Sequence, residues 1–396
     1  MIHTAMLIME LQKEQRKRLT AVLPQNKSVQ KLSNLKVYGQ PYDPRYTAKG
    51  VTVYYPRIDK SKPDGSGYVT YLAMIHVNMT KLLYEDDHVS LLTTDEEVER
   101  AIKELDRILQ EIFKGLYWEY DSREVFGESE SDNPEDYMCR QEFEGLYDRN
   151  ISLNRIDFTT QLYDMPQETM DTFIRCLNKG DLSKLDVTGQ REGYKMFHGS
   201  AYIETDSVNI NIYDKQNQML KTNEWNSKHG NKPKYSEDDI EAAGGILRVE
   251  IQCKSRKLLE MSRKKDILKT LYRLATKEIS REVITYYLEL LTGTQDYYAI
   301  DTIQTKIKNS RYRPATKQKM SDIIVKMNEK PTTRLSDVKN ELKKTAHKST
   351  VNGYIKRIEE LGCNPVPLAK NGIRHLPNLM TLIKDQWEEE DSEVPW

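Results

Sequence analysis

Cysteine is scarce in this chain. Cys139, Cys176, Cys253 and Cys363 are the only four in 396 residues, widely spaced and with no C-x-x-C pair. Such spacing argues against a disulfide framework and against a zinc site, and reads as free thiols in a reducing cytoplasm. Long apolar runs are missing as well. The run Ala5–Met9 is too short to cross a bilayer and carries no signal-peptide cleavage pattern, so a soluble cytoplasmic protein with no membrane partner is expected. The phosphate cradles G-x-x-x-x-G-K-S/T and G-x-G-x-x-G are absent, as are H-E-x-x-H and G-x-S-x-G. Standard nucleotide, zinc-protease and serine-hydrolase sites are thereby excluded. A net charge of −1 does not by itself point to nucleic acid. Its distribution is more telling: acids gather in Tyr84–Asp148 and in the tail from Asp385 to Asp391, and bases gather elsewhere.

What the chain does have is alternating strands. Ser207–Lys215 places Val208, Ile210 and Ile212 on one side and Asn209, Asn211, Tyr213 and Lys215 on the other, the period of a half-buried strand. Tyr213 and Lys215 share the polar side. They read either as an exposed tyrosine and a solvated lysine on an edge strand, or as a nucleophile whose phenolate a nearby cation favours. Three other strands are built alike. Ser152–Thr160 sets Leu153, Ile156 and Phe158 against Arg155, Asp157 and Thr159. Gly245–Lys254 sets Leu247, Val249 and Ile251 against Arg248, Glu250 and Gln252. Val69–Asn78 sets Ala73, Ile75 and Val77 against Met74, His76 and Asn78. In one antiparallel sheet, apolar sides down, Asp157, Glu250, Tyr213, Lys215 and His76 converge on an open polar face. Two carboxylates there suit a hard divalent cation, magnesium or manganese. A metal, a tyrosine and a lysine together suit phosphoryl transfer.

The remaining elements fall around these strands. Glu10–Gln40 reads as a basic helix and then a loop, and Val51–Pro56 as a strand. Thr94 with Glu97 forms a capping box before an apolar stripe of Val98, Ile102, Leu105, Leu109 and Ile112, which predicts a helix over Thr94–Phe113. Residues 121–148 form an acidic loop that would repel nucleic acid. Lys254–Leu291 is helical and basic. Beyond Arg311 three short helices are expected at Lys317–Asn328, Leu335–Lys344 and Ser349–Leu361, a helix-turn-helix-like arrangement. From Thr316 to Arg357 there are eleven Lys and Arg against four Asp and Glu, which favours DNA contact over a purely protein-binding bundle. The fold expected is therefore α+β: an antiparallel sheet with helices on one face, in two related halves, then an all-α region. The segments expected are an N-terminal extension (1–50), a catalytic domain (51–310) and a helical DNA-binding domain (311–396).

Four motifs in order carry a family likeness. Tyr71–Lys81 (YLAMIHVNMTK), Ser152–Thr160 (SLNRIDFTT), Ile210–Lys215 (INIYDK) and Leu247–Leu258 (LRVEIQCKSRKL) together resemble the rolling-circle replication initiators of filamentous phages, the gene II/X type. They are more loosely similar to the plasmid initiators and relaxases of the Rep_trans group. The resemblance implies a nickase that cuts one strand at an origin, stays joined to the 5′ phosphate through tyrosine, and uses a divalent metal. Matched by motif, the nucleophile is Tyr213 with Lys215 beside it, and Asp157 and Glu250 take the acidic positions. Arg248 or Lys215 would offset charge in the transition state. Asp157 and Glu250, with His76 near, are the inferred metal ligands. Lys254, Arg256, Lys257, Lys343, Lys344, Lys348, Lys356 and Arg357 are the expected DNA contacts, with host helicase and polymerase as partners. Two departures stand out. No His-x-His pair exists, so the metal motif of the HUH nucleases is absent. In the plasmid group the tyrosine lies on or near the helix after the R-x-E strand, where the nearest tyrosine here is Tyr272. A conjugative relaxase of the same chemistry, or a non-catalytic origin or operator binder, are the rival readings.

Overall fold

The computed structural model describes residues 1–11, 25–32, 35–41, 44–54, 56–61, 67–85, 87–114, 152–181, 185, 199–330, 332–369 and 372–392. The expected acidic loop at 121–148 and Cys139 lie outside the described residues. In chain order the first elements are β1 (Ile2–Leu11), β2 (Gln25–Leu32), β3 (Leu35–Pro41), α1 (Pro44–Ala48), β4 (Val51–Tyr54), β5 (Pro56–Ser61), β6 (Gly67–Asn78) and α2 (Asp95–Lys114). There follow β7 (Ser152–Leu162), α3 (Gln167–Asn178), β8 (Ser200–Glu204), β9 (Val208–Asp214), α4 (Lys215–Lys228), α5 (Glu237–Ala242) and β10 (Leu247–Lys254). The helical remainder is α6 (Ser255–Lys265), α7 (Leu271–Leu274), α8 (Lys277–Thr292), β11 (Tyr297–Tyr298), α9 (Ile300–Asn309), α10 (Pro314–Glu329), α11 (Leu335–Leu342), α12 (Lys348–Glu360), β12 (His375–Leu376) and α13 (Leu379–Ser392). The fold is α+β, an antiparallel sheet with helices and an all-helical C-terminal region.

The chain forms two compact units that interleave along the sequence: Met1–Thr159 with Gln252–Glu282, and Thr160–Ile251 with Val283–Trp396. Three consecutive segments were expected instead. In the first unit the strand order is β2-β3-β5-β6-β1-β7, with β4 also paired to β6. Glu10–Gln40 was expected to be helix and loop, and residues 1–50 an extension. Both expectations are corrected: β2 and β3 are strands, and β1 is an internal strand between β6 and β7. Two alternate residues explain why β1 sits inside. Ala5 and Leu7 are fully buried and pair with Val77 and Ile75 on one side and with Ile156 and Leu153 on the other. Only a strand with neighbours on both edges buries both flanks of that apolar row.

Helix α2 begins as its capping box predicts. Glu97 N–H donates to Thr94 Oγ1 at 3.2 Å, and the Thr94 N–H donates back to Glu97 Oε2 at 3.3 Å. Its stripe Val98, Ala101, Ile102, Leu105, Ile108 and Leu109 is buried. Removing that stripe from water is the main stabilisation of so charged a helix.

In the second unit the order is β10-β9-β8, with residues 160–162 of β7 beside β10. Helix α3 packs on β8 and β9 through Met170, Phe173, Ile174 and Leu177. Gly245 reaches φ +72°, and a Cβ there would meet the backbone of Asp164 and Met165 at 3.2–3.4 Å. Only glycine allows that approach to the start of β10. The C-terminal helices follow the predicted spacing: α10, α11 and α12 pack on one another through Met320, Ile323, Ile324, Met327, Leu335, Val338, Val351, Ile355 and Ile358. Pro314 opens α10 at its first turn, where its missing N–H costs nothing.

Candidate functional site

The polar sides of β9 and β10 are not open to solvent as expected. Tyr213 is 7 % exposed, Glu250 7 % and Arg248 0 %. Buried polar groups need partners, and these find them in each other. The Tyr213 hydroxyl donates to Glu250 Oε1 at 2.6 Å. Arg248 donates through Nε and Nη2 to Gln161 Oε1 at 3.0 and 2.7 Å. Gln161 in turn donates to the Tyr163 hydroxyl at 2.5 Å. The result is a closed polar cluster at the C-terminal end of β7, on β9 and on β10.

Lys215 is also displaced from its expected role. The strand ends at Asp214, which caps α4 by accepting from the Asn217 N–H at 3.0 Å, and Lys215 is the first residue of that helix. It is buried, donates to Gln218 Oε1 at 3.2 Å, and lies 5.8 Å from the Tyr235 ring. It does not continue the polar side of β9. The phenolate it was expected to favour is disfavoured in this setting. Burial first, then the charge of Glu250, hold the Tyr213 hydroxyl well above its ordinary range, with Arg248 acting in the opposite direction.

In the first unit the polar side of the sheet is built from rows across three strands. Thr4 pairs with Asn78 and with Asp157, and Met6 pairs with His76 and with Arg155. Asp157 is 3 % exposed. Its carboxylate lies 2.9 Å from Arg155 Nε and accepts from the Thr4 hydroxyl and, at 3.4 Å, from Gln252 Nε2. His76 meets the edge of the Tyr54 ring, with centroids 5.3 Å apart. Burial, reinforced by the Arg155 charge, lowers its pKa to about 4, so the imidazole is neutral at neutral pH. Tyr272, the alternative tyrosine, sits half-buried on α7, and burial raises its hydroxyl too.

The metal expected on Asp157, Glu250 and His76 can be judged against these donors. Asp157 already faces Arg155, and Glu250 already accepts from Tyr213. Among the described residues no three His, Cys, Asp or Glu side chains are grouped as cation ligands would be. The side chains as placed do not make a cation cage.

The expected DNA contacts divide by exposure. Arg256 on α6, Lys344 after α11, and Lys348 and Lys356 on α12 are exposed. Lys254, Lys257, Lys343 and Arg357 are half-buried. Lys257 pairs with Glu260 at 2.9 Å, and Lys343 donates to Asn340 Oδ1 at 3.1 Å. Arg357 lies 5.8 and 5.9 Å from the Tyr312 and Tyr354 rings. Cys176, Cys253 and Cys363 are free and buried. Among the described residues no helix is long and apolar enough to cross a membrane.

Sequence reading missed Gln161 and Thr4. Gln161 had a signal, since it stands four residues after Asp157 on the same side of one strand. Thr4 had none, because β1 was not read as a strand. No family model, curated protein or solved structure matches the chain. The likeness to the phage initiators therefore rests on the four sequence motifs.

Proposed function

We propose that the protein is a replication initiator that nicks one DNA strand at an origin by tyrosine transesterification. The observation that carries this reading is the 2.6 Å hydrogen bond from Tyr213 to Glu250, with Arg248 acting electrostatically on the same hydroxyl. The pair is a nucleophile already bonded to a base. Because burial makes a free phenolate costly, the proton leaves during attack rather than before it. Tyr213 Oη forms a bond to the scissile phosphorus and its proton passes to Glu250. The P–O3′ bond breaks, and the 3′ oxygen takes a proton from solvent. The products are a 5′-phosphotyrosine link and a 3′-hydroxyl that a host polymerase extends while a helicase opens the duplex. Arg248 supplies positive charge against the charge that develops on the phosphoryl oxygens. The exposed bases of α12 and its approach, Lys344, Lys348 and Lys356, hold origin DNA by its phosphates.

The test is nicking of supercoiled plasmid carrying the DNA that flanks the coding sequence. Wild-type protein should give nicked circles and a protein–DNA adduct stable to denaturant, and Tyr213→Phe should give neither. An adduct that survives Tyr213→Phe overturns the assignment. The divalent cation expected from the resemblance is a proposal tested in the same assay, by EDTA and by return of magnesium or manganese.

A further inference from the structure

Trp225 lies in the last turn of α4 and is 56 % exposed. One face of its indole is covered: the His229 ring, four residues on, stacks against it with centroids 4.1 Å apart and planes 27° from parallel. His229 is fixed in turn, with Nδ1 2.7 Å from the Trp225 carbonyl oxygen. An exposed indole held this way is a rigid aromatic plate with one side still open.

Two lysines flank it along the helix. Lys221 lies one turn before Trp225 on the same helical stripe and Lys228 just after it, and both are exposed. Glu224 is the one acid among them, and its charge is met by Lys228 at 2.6 Å. The chain after the helix then doubles back. The Asn231 N–H donates to the Asn226 carbonyl at 2.9 Å, and Asn223 Oδ1 accepts from the N–H groups of Lys234 and Tyr235 at 2.8 and 3.0 Å. That pinning fixes Lys234 at the Asn223 side of the helix, with its ammonium 5.1 Å from the Tyr235 ring and away from the indole. An aromatic plate flanked by Lys221 and Lys228 offers a face for an unstacked base and charges for its phosphates.

We propose that Trp225, backed by His229 and flanked by Lys221 and Lys228, is a stacking platform for the bases of single-stranded nucleic acid. A duplex presents its bases to one another and has none to give the indole. The platform needs no cleavage, so it stands apart from the chemistry assigned to Tyr213.

The experiment uses the full chain and labelled oligothymidine, oligouridine and duplex DNA of equal length, read by fluorescence anisotropy. Trp225→Ala should weaken single-strand binding about tenfold, the loss of one base stack, and Trp225→Phe should keep most of it. Duplex binding should stay within about twofold, and the salt slope for oligothymidine should not change, because no charge is removed. His229→Ala should fall between the two Trp225 variants. Loss on either strand supports the platform, and a preference for one names DNA or RNA as its source. Melting should match wild type in every variant, since the side chain is exposed. Single-strand binding unaffected by Trp225→Ala overturns the proposal, as does an equal loss on duplex. Because binding is read without cleavage, failure of the platform leaves the nicking assay to be judged separately.

Discussion

Lys339 on α11 donates to Asp181 Oδ2 at 2.6 Å, and both side chains are buried although 158 residues separate them. Lys179 stands close by in sequence, also buried, and donates to the Met327 carbonyl at 3.0 Å. The segment after α3 and the C-terminal helices are thus joined by charged groups that have left water. Removing one partner strands the other in a low-dielectric interior. Lys339→Met should therefore cost about 3–5 kcal/mol, while the double change Lys339→Met with Asp181→Leu should recover most of the loss. Urea unfolding of the three proteins checks this. Equal stability of the single and double variants would show that the ion pair is not what matters.

A chain ending near Arg311 would keep every residue named for catalysis, yet it should not work. Its loss removes the partners of Asp181 and Lys179, and also α13, where Trp387 Nε1 donates to Thr160 Oγ1 at 3.1 Å and Gln386 to the Gln161 carbonyl at 2.9 Å. Gln161 is the residue that holds Arg248. The truncated chain should show weakened near-ultraviolet dichroism, early proteolysis in 160–251 and no single-strand cleavage. Cleavage at the full rate by that fragment would contradict the interdependence.

Tyr213 and Glu250 give separable signatures of chemistry and packing. Tyr213→Phe leaves the Glu250 carboxylate buried with a partner missing, a cost of roughly 1–3 kcal/mol. Glu250→Gln keeps an acceptor for the hydroxyl but takes no proton, so adduct formation should fall about 10²–10⁴-fold with a smaller loss of stability. A merely structural pair would lose stability in both variants without this split.

Alkaline pH should also register Tyr213. Its folded hydroxyl ionises well above the ordinary value of 10.0, because burial and then Glu250 oppose the charge, and Tyr297 is raised likewise by burial. The unfolded chain releases these protons first. Their contribution to stability is therefore full below pH 10 and lost as pH rises beyond it. Ultraviolet difference spectra should show at least two tyrosines ionising only with unfolding.

His76 works on the acid side. Its folded pKa of about 4 lies below the ordinary 6.5. The unfolded chain binds the extra proton between those values, so the stability linked to His76 is full above pH 6.5 and lost as pH falls toward 4. The loss should be of order 3 kcal/mol, and His76→Phe should flatten this part of the pH–stability curve. An imidazole proton resonance that titrates near 6.5 in the folded protein would refute it.

Much of this was legible because it is local. The Thr94 and Glu97 cap, the stripe of α2 and the apolar spacing of α10 to α12 each lie within a few turns of chain. The alternation in β7, β9 and β10 also reads directly, and it correctly set Tyr213, Arg248 and Glu250 on polar sides. Asp214 as a helix cap was available too, three residues before Asn217, but the run of alternation into Lys215 masked it. Burial of those polar sides was not legible. It depends on pairings such as Arg248 with Gln161, 87 residues apart in the chain, and on β1 lying between two strands that sequence places far from it. A carboxylate bonded to a tyrosine and one bonded to an arginine look the same in sequence as two carboxylates waiting for a metal.

The interleaving of the two units carries a consequence for biosynthesis. The ribosome delivers Met1–Thr159 first, but the unit it belongs to also needs Gln252–Glu282. Between them the chain emits Thr160–Ile251, whose own remaining half begins only at Val283. Neither unit can close as it emerges, in contrast to the domain-by-domain order in which larger chains commonly fold. The nascent protein must carry two incomplete units at once, and its need for a holding chaperone should be greatest while residues 160–282 are leaving the tunnel.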